Sequence, residues 1–428
     1  MKIVGLITEY NPFHNGHLYH IHESLRITGA DAALVVMSGD YVQRGTPAIM
    51  PKRLRTEMAL YCGAGAVLEL PVCYATGSAE FFALGAISLL DSLGIVDSVC
   101  FGSECSDLPL LQKIAGLLVD EPEQYREILR HELKLGKSFP AARQTAVVFC
   151  TGDPRCADIL KDPNNILGIE YLKALKKCGS SIRPYTIRRK GAGYHSSQLD
   201  GLYSSASAIR SLLAYSSSSI HTEFAGDDST ELSFSDILNE LGNQVPKKCL
   251  ELLSDFHKIQ YPVYQNDFSL ILKYKLLNKH PKSLVRYMDV SPELAARICT
   301  SLNDFFNYKQ FAGLLKTKEL TQTRINRALL HIMLGIKKDS VSEYMNSGYN
   351  FYARLLGFRK DCSQILTEIS KKSSLPLLTK LAESRELCEL GQRMLRDDIL
   401  ASNLYTSVVT DKFKTAFLNE YKQSIIKI

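Results

Sequence analysis

The sequence predicts an α/β protein: a Rossmann-like domain with a mostly parallel sheet, followed by an α-helical C-terminal domain. Three observations lead to this fold class. Short apolar runs alternate with helical stretches in the first half, at the spacing of βαβ units. Strand-like runs become rare in the second half. The chain has 428 residues, of which 45% are hydrophobic, so it can bury the cores of two domains.

Each predicted strand is a short run rich in valine, isoleucine and leucine, and the runs cover residues 2–8, 32–38, 66–70, 98–102 and 183–187. Helices are predicted between these runs at residues 17–27, 52–61, 78–93 and 166–177. This alternation favours a parallel sheet that is covered by helices on both faces. Ligands bind at the carboxyl ends of the strands in such sheets.

A polar stretch separates the two predicted domains. A serine run at 215–219 and the sequence FAGDDST at 224–230 are typical of a linker. We therefore predict an N-terminal domain of residues 1–220 and a C-terminal domain of residues 221–428. Apolar residues recur at helical spacing within the second domain, which predicts amphipathic helices at 323–338 and 385–396.

The excess of positive charge lies in the second half of the chain. The first 225 residues contain 22 basic and 22 acidic residues, whereas the remainder contains 29 basic and 23 acidic residues. This asymmetry favours a neutral catalytic half and a basic half that suits a polyanion.

The sequence argues against a membrane protein or a secreted one. No run approaches the ~20 apolar residues of a spanning helix, and Glu9 follows the start too closely for a signal peptide. The eleven cysteines stand singly, without a C-x-x-C pair, which indicates reduced thiols and disfavours a structural zinc site. We therefore expect a cytoplasmic protein.

The clearest functional motif follows the first predicted strand. The run KIVGLIT leads through EYNPF into His14-Asn15-Gly16-His17, immediately before a predicted helix. Gly16 allows a ligand to approach the backbone, and a helix N-terminus offers N–H groups and a positive dipole end to phosphates. His14 and His17 could donate to a triphosphate where charge builds up as pyrophosphate leaves.

Two other interpretations of the histidines at positions 14, 17, 20 and 22 stay open. They could be metal ligands, although a turn at Gly16 and the lack of a nearby cysteine fit a closed metal site poorly. They could also be ordinary surface or core histidines.

A second motif favours nucleotide binding. Residues 204–210 read SSASAIR, with Ser207 as the expected N-cap of a helix and Arg210 one turn later. Small hydroxyl residues and an arginine at a helix start form a second phosphate cradle.

Together the two motifs resemble the HxGH nucleotidyltransferase superfamily, which is related to the class I aminoacyl-tRNA synthetases. Further runs narrow the resemblance to the bacterial tRNA(Met) cytidine acetate ligase family. The runs span most of residues 1–210 and read GLITEYNPFHNGHLYHI, VVMSGDYVQRGTPAI, LELPVCYATGSAEFFALGA, CFGSE, PNNILGIEYLKAL and RRKGAGYHS.

The resemblance implies a two-step reaction. Acetate attacks the α-phosphate of ATP to give acetyladenylate and pyrophosphate. The acetyl group then passes to N4 of the wobble cytidine of elongator tRNA(Met), giving N4-acetylcytidine without acetyl-CoA. Mg²⁺ is expected from triphosphate chemistry, and no obligate protein partner is expected.

The resemblance also implies a set of ATP-binding residues. Its contiguous part is Ile7, Thr8, Glu9, Tyr10, Asn11, Pro12, Phe13, His14, Asn15, Gly16, His17, Leu18, Tyr19 and His20. Gly102, one of Asn164 and Asn165, and one of Arg188 and Arg189 join this run, and the second motif adds Ser207 and Arg210. The sequence does not decide within either pair.

The predicted tRNA-binding residues are Arg44, Lys52, Lys190, Arg354, Arg359 and Lys360. Arg44 and Lys52 flank the exit of the second strand, where with Arg53 and Arg55 they could form a basic path toward the tRNA backbone or simply a solvated helix face. Lys190 follows Arg188 and Arg189 at a strand end, where cations can bind phosphate or RNA. Arg354, Arg359 and Lys360 are candidates because they lie near the candidate stacking aromatics Tyr349, Tyr352 and Phe358, and an anticodon loop is read by stacking and hydrogen bonding.

Two other functions stay open. A small-molecule cofactor adenylyltransferase would need little more than the first half of the chain and would leave the basic helical half unexplained. A non-catalytic RNA-binding protein would not need both histidines of the motif.

Overall fold

The structure is a computed structural model that describes residues 1–189, 205–215 and 233–428. Its strands are β1 (Ile3–Thr8), β2 (Ala32–Ser38), β3 (Tyr41–Val42), β4 (Thr46–Pro47), β5 (Ala64–Leu70), β6 (Ser98–Ser103), β7 (Arg183–Arg188), β8 (Ala353–Phe358), β9 (Leu377–Leu378) and β10 (Ile426–Lys427). Most of the predicted linker lies outside the described residues.

The helices of the first part of the chain are α1 (Asn15–Thr28), α2 (Lys52–Tyr61), α3 (Val72–Ala75), α4 (Ala79–Ser92), α5 (Leu108–Asp120), α6 (Glu123–Lys134), α7 (Phe139–Thr151), α8 (Arg155–Ile159), α9 (Pro163–Cys178) and α10 (Ala206–Tyr215). Those that follow are α11 (Phe234–Leu241), α12 (Lys247–Phe256), α13 (Ser269–Leu277), α14 (Pro281–Leu284), α15 (Pro292–Thr300), α16 (Tyr308–Leu314), α17 (Gln322–Leu334), α18 (Lys338–Asn346), α19 (Gln364–Lys372) and α20 (Glu389–Phe413). Short 3-10 helices lie at Gln265–Phe268, Leu302–Asp304, Lys360–Cys362, Leu381–Glu386 and Glu420–Lys422.

The main sheet has the strand order β10-β8-β5-β2-β1-β6-β7, and β9 also pairs with β8. The strands predicted in the first half are confirmed, since β1, β2, β5, β6 and β7 all run parallel. Every residue of β2 and β5 is buried, as expected for a parallel sheet covered on both faces. The carboxyl ends of the parallel strands meet at one edge, where the loop after β1 lies.

The second half of the chain also contributes strands to this sheet. β8 runs antiparallel to β5 and pairs Arg354 with Glu69, and β10 runs parallel to β8. Leu68 of β5 and Leu355 of β8 belong to the same buried hydrophobic cluster. The α/β fold class is confirmed. The two halves of the chain share one sheet, and their division into two domains stays a prediction.

Two helices of the second half differ from their predicted bounds. The apolar pattern at 323–338 spans α17 and the start of α18, because Gly335, at φ 86°, ends α17 in the left-handed conformation. The helix predicted at 385–396 begins later, at Glu389, and continues to Phe413. Within the described ranges, no helix is both long and apolar enough to cross a membrane.

Candidate active site

The loop between β1 and α1 carries the HxGH motif at the carboxyl edge of the sheet. His14 is the N-cap residue of α1, and its Nδ1 accepts a hydrogen bond from the backbone N–H of Gly16 at 3.0 Å. The backbone N–H of His14 in turn donates to Nδ1 of His17 at 3.3 Å. The two histidines therefore cap the helix reciprocally, and their ring centroids lie 3.8 Å apart.

Both histidines are neutral donors at physiological pH. Burial lowers the pKa of His14 to about 3 and the pKa of His17 well below its usual value, and the charge of Arg189 adds to both shifts. Because each Nδ1 accepts a backbone N–H, the proton of each neutral ring is on Nε2. Two Nε2–H groups are thus available to an anion at the start of α1.

The backbone N–H groups at the start of α1 already have partners within the chain. The N–H of Asn15 donates to the carbonyl of Gln244 at 2.9 Å, and the N–H of His17 donates to the carbonyl of His14 at 2.9 Å. The N–H of Gly16 donates to the His14 ring. The sequence predicts that these groups receive a phosphate, but in the structure all three are already hydrogen-bonded within the chain.

The side chains around the motif hold it in place. Tyr10 and Phe13 are fully buried, and their ring centroids lie 4.9 and 5.5 Å from that of His17. Nε2–H of His20 donates to the carbonyl of Cys100 at 3.2 Å, and burial lowers the pKa of His20 to about 4. The other side chains of the predicted ATP-binding run are buried or partly buried, namely Ile7, Thr8, Glu9, Asn11, Pro12, Asn15, Leu18 and Tyr19.

The second motif lies against the first. Arg210, on α10, donates to the carbonyl of Asn11 at 2.7 Å and to the hydroxyl of Ser207 at 3.0 Å. The predicted N-cap at Ser207 is wrong, because Ser207 lies inside α10 and the hydroxyl of Ser205 accepts the N–H of Ala208 at 3.1 Å. The run SSASA offers several serines that could cap a helix, and its local sequence does not select one.

A third group of site residues lies at the ends of β6 and β7. Arg189 donates to Oδ1 of Asn164 at 3.4 Å. A Cβ at Gly102 would lie 3.1 Å from Cγ of Arg189, so the stem of the arginine crosses directly over this glycine. The charge of Arg189 also acts on His14, His17 and His20. Both arginines of the pair, Arg188 and Arg189, are exposed, and Arg189 is the one that contacts Asn164 and Gly102 and interacts electrostatically with the histidines.

The two neighbouring asparagines have different surroundings. Asn165 is 1% exposed, and its Oδ1 accepts the N–H groups of Glu104 and Cys105 at 2.9 and 3.2 Å. Asn164 is partly exposed and donates to Oε1 of Glu104 at 2.6 Å. Glu104 accepts hydrogen bonds from both asparagines and is absent from the predicted set, although it belongs to the quoted run CFGSE and directly follows the strand end.

Arg55 fastens the motif loop to the loop after β2. It is fully buried and donates to the carbonyls of Glu9, Ser38 and Met50 at 2.6, 3.1 and 3.2 Å. Both sequence-based interpretations of Arg55, a basic path toward tRNA and a solvated helix face, are wrong because its guanidinium is buried among backbone carbonyls.

The prediction that Lys52 and Arg354 bind tRNA is also corrected, because both side chains are buried. They are 1% and 6% exposed and form a buried cluster with Glu69 and Glu420. Nζ of Lys52 lies 2.8 Å from a carboxylate oxygen of each glutamate, and Nη1 of Arg354 lies 2.9 Å from Oε2 of Glu69. Arg354 also pairs with Glu420. A phosphate outside the protein cannot reach these two cations.

The remaining candidates for tRNA contact differ in how exposed their side chains are. Lys360 is exposed, Arg44 is partly exposed, and Arg359 pairs with Asp361. Lys190 lies outside the described residues. Two of the proposed stacking aromatics are corrected, because Tyr352 and Phe358 are 1% and 9% exposed and pack in the core, and the third, Tyr349, is partly buried.

The chain resembles known proteins over nearly its whole length. The model of the HIGH Nucleotidyl Transferase family matches residues 1–420. A tRNA(Met) cytidine acetate ligase of Caldanaerobacter subterraneus subsp. tengcongensis is 43% identical over 407 residues, which cover 95% of each chain. The protein of the same name from Acetivibrio thermocellus is 40% identical over 429 residues, which cover 100% of each chain.

Two crystal structures of Thermotoga maritima TmcAL share the fold. Each is 31% identical to this chain, with 100% of both chains covered. The apo form has a TM-score of 0.89, and the form bound with alpha-thio ATP has a TM-score of 0.87. The HxGH loop, the whole-length matches and the shared fold agree, and the chain belongs to the tRNA(Met) cytidine acetate ligase family of HIGH nucleotidyl transferases.

Proposed function

We propose that this protein is an ATP-dependent acetate ligase that acetylates N4 of the wobble cytidine, position 34, of elongator tRNA(Met). The observation that carries the proposal is the pair of neutral histidines at the start of α1, with Arg189 and Arg210 beside them. The relatives named tRNA(Met) cytidine acetate ligase support the reaction, and the T. maritima protein bound with an ATP analogue supports the nucleotide.

In the first proposed step, a carboxylate oxygen of acetate bonds to the α-phosphorus of ATP. The bond from that phosphorus to the bridging oxygen breaks, and pyrophosphate leaves with the oxygen and the electron pair. Negative charge therefore grows on the leaving phosphates. The Nε2–H groups of His14 and His17 and the guanidiniums of Arg189 and Arg210 would stabilise this charge, which is electrostatic rather than covalent catalysis.

In the second proposed step, N4 of the cytidine attacks the acetyl carbonyl carbon. The bond from this carbon to the adenylate oxygen breaks, AMP leaves, and N4 loses one proton to solvent. The first step activates acetate and needs no tRNA, so the two steps are experimentally separable.

Within the ATP-binding set we assign direct contacts to Asn164 and Arg189. Their side chains meet each other at the carboxyl edge of the sheet, above Gly102. Oδ1 of Asn165 already accepts backbone N–H groups of the turn after β6. We propose that Asn165 positions Asn164 through Glu104, which accepts hydrogen bonds from both residues. Gly102 allows the close approach of Arg189 or of the nucleotide.

Magnesium would arrive on the triphosphate. Among the residues that the structure describes, no three His, Cys, Asp or Glu side chains form a group that could hold a metal ion. Mg²⁺ usually retains several waters and binds phosphate oxygens with few protein ligands. We assign no step to the metal. We also propose a cytoplasmic location, which the eleven free thiols support.

The experiment that tests the function is incorporation of labelled acetate into tRNA that lacks the modification. The purified protein is assayed with and without ATP and without coenzyme A, and the tRNA is then digested to locate N4-acetylcytidine. We expect incorporation that requires ATP and gives one modified nucleoside. A folded preparation that binds ATP but incorporates no acetate would contradict the proposal and favour a small-molecule adenylyltransferase.

A further inference from the structure

Several large apolar side chains are exposed together at α13. Leu270, Tyr274 and Leu277 occupy positions i, i+4 and i+7 of this helix and are 79%, 65% and 61% exposed. Residues with this spacing lie on one face of a helix. Phe306, in the segment before α16, is 84% exposed. We call these four residues the Tyr274 face.

Two contacts hold Phe306 beside α13. Nζ of Lys273 donates to the carbonyl of Phe305 at 3.2 Å and lies 5.5 Å from the centroid of the Phe305 ring. The N–H of Tyr308 donates to the hydroxyl of Ser269 at 3.0 Å. Phe306 lies between these two bonds in the chain, so an exposed second aromatic residue lies beside α13.

The surroundings of the Tyr274 face are strongly basic. Residues 268–288 contain no acidic residue and five basic ones, namely Lys273, Lys275, Lys279, Lys282 and Arg286. Lys275 and Lys279 are partly exposed, and Lys282 and Arg286 are exposed. Asp304, two residues before Phe306, is an exposed acidic residue, so the local charge is a positive excess rather than of one sign. Such an excess attracts a polyanion and disfavours association with another copy of the same surface.

We propose that the Tyr274 face is the surface on which unpaired bases of the tRNA stack, while the flanking lysines contact its phosphates. Exposed aromatic rings surrounded by cations are the usual means of binding single-stranded nucleic acid, because every base has a π-face and every nucleotide has a charge. The inference rests on the proposed function, which provides a tRNA with an unpaired anticodon loop.

The Tyr274 face is attached to the loop of the candidate active site. Phe268 directly precedes α13, and its ring centroid lies 5.8 Å from that of Tyr41, which follows β2. The N–H of Val263 donates to the carbonyl of Ile49 at 2.9 Å, and the N–H of Ile49 donates to Oδ1 of Asn11 at 2.8 Å. Two hydrogen bonds therefore join the segment before α13 to the HxGH loop.

The test compares tRNA affinity among full-length variants at several salt concentrations. We expect Y274A/F306A to bind tRNA about tenfold or more weakly than wild type, with an unchanged salt slope, since stacking is an uncharged contribution. The matched control is F149A, because Phe149 is also 61% exposed but lies on α7. F149A should bind tRNA like wild type.

A second variant, K275Q/K282Q, tests the phosphate contacts. Each lost contact to a single strand lowers the slope of log K against log salt by about 0.7, so we expect a slope smaller by about 1.4. Wild-type affinity in folded Y274A/F306A would overturn the inference, as would a change in its oligomeric mass without a change in affinity. Failure of wild type itself to bind tRNA would instead overturn the proposed function.

Discussion

Lys52 and Glu420 form a buried ion pair of 2.8 Å, although they come from distant parts of the chain. Glu69 and Arg354 complete the cluster, so its members belong to α2, β5, β8 and the 3-10 helix before β10. A hydroxyl oxygen of Ser402, on α20, accepts a further hydrogen bond from Lys52 at 2.6 Å. The cluster therefore fastens the last part of the chain to the nucleotide-binding sheet.

Removing the central cation should destabilise the protein strongly. Lys52→Met would leave two buried carboxylates with one fewer partner, and breaking a buried ion pair in this way costs about 3–5 kcal/mol. Urea denaturation measures the change in the free energy of unfolding. Lys360→Met, at an exposed position, is the control and should leave it unchanged. Equal stability of the two variants would show that the cluster does not support the fold.

The same cluster predicts the behaviour of a truncated chain. A fragment of residues 1–225 would lack β8, which covers β5, and would leave Lys52 and Glu69 without Arg354 and Glu420. Without β8, β5 becomes an exposed edge strand of the sheet, and exposed edge strands favour aggregation. We expect no cooperative thermal transition by circular dichroism and no ATP binding. A sharp transition would show that the first domain folds alone.

The histidine pair predicts a selective loss of catalysis. His17→Ala removes one Nε2–H donor and the acceptor for the His14 backbone, so acetate-dependent release of pyrophosphate from ATP should fall by at least about 100-fold. Affinity for tRNA should stay unchanged. His22→Ala is the control, because His22 is exposed on the same helix. Undiminished turnover in H17A would remove His17 from the mechanism.

Single alanine substitutions of Asn164 and Asn165 should have different effects. Asn165→Ala leaves two partly buried N–H groups without their acceptor and should lower the free energy of unfolding by about 1–3 kcal/mol. Asn164→Ala should change stability little and raise the KM for ATP in the pyrophosphate assay. The reverse pattern would assign the nucleotide contact to Asn165.

The low pKa of His14 predicts acid sensitivity. In the folded state the pKa is about 3, against an ordinary value of 6.5, so the unfolded chain binds a proton more readily between these two pH values. Stability is therefore full above pH 6.5 and falls as the pH decreases toward 3.

His14→Gln isolates this contribution from other titrating groups. Between pH 7 and pH 4.5, wild type should lose about 2–3 kcal/mol more unfolding free energy than H14Q. Urea denaturation at each pH measures both curves. Parallel curves would indicate that His14 titrates normally in the folded protein.

Local patterns in the sequence determined the parallel strands, the helices between them and the position of the HxGH loop. Each depends on residues close together in the chain: the apolar run of 32–38, the helix start after His14 and the spacing of Ser207 and Arg210. The motif and the runs around it also pointed to the family that the whole-length relatives share.

Only the tertiary structure decided which charged and aromatic residues are available to a partner. In sequence, Lys52, Arg55 and Arg354 look like ordinary surface cations, and their burial follows from carboxylates and carbonyls supplied by distant segments. Asn164 and Asn165 are adjacent on one helix, where successive residues point about 100° apart, so only the packing of the turn after β6 separates their roles. The placement of β8 beside β5 is likewise a non-local pairing that no short window of sequence contains.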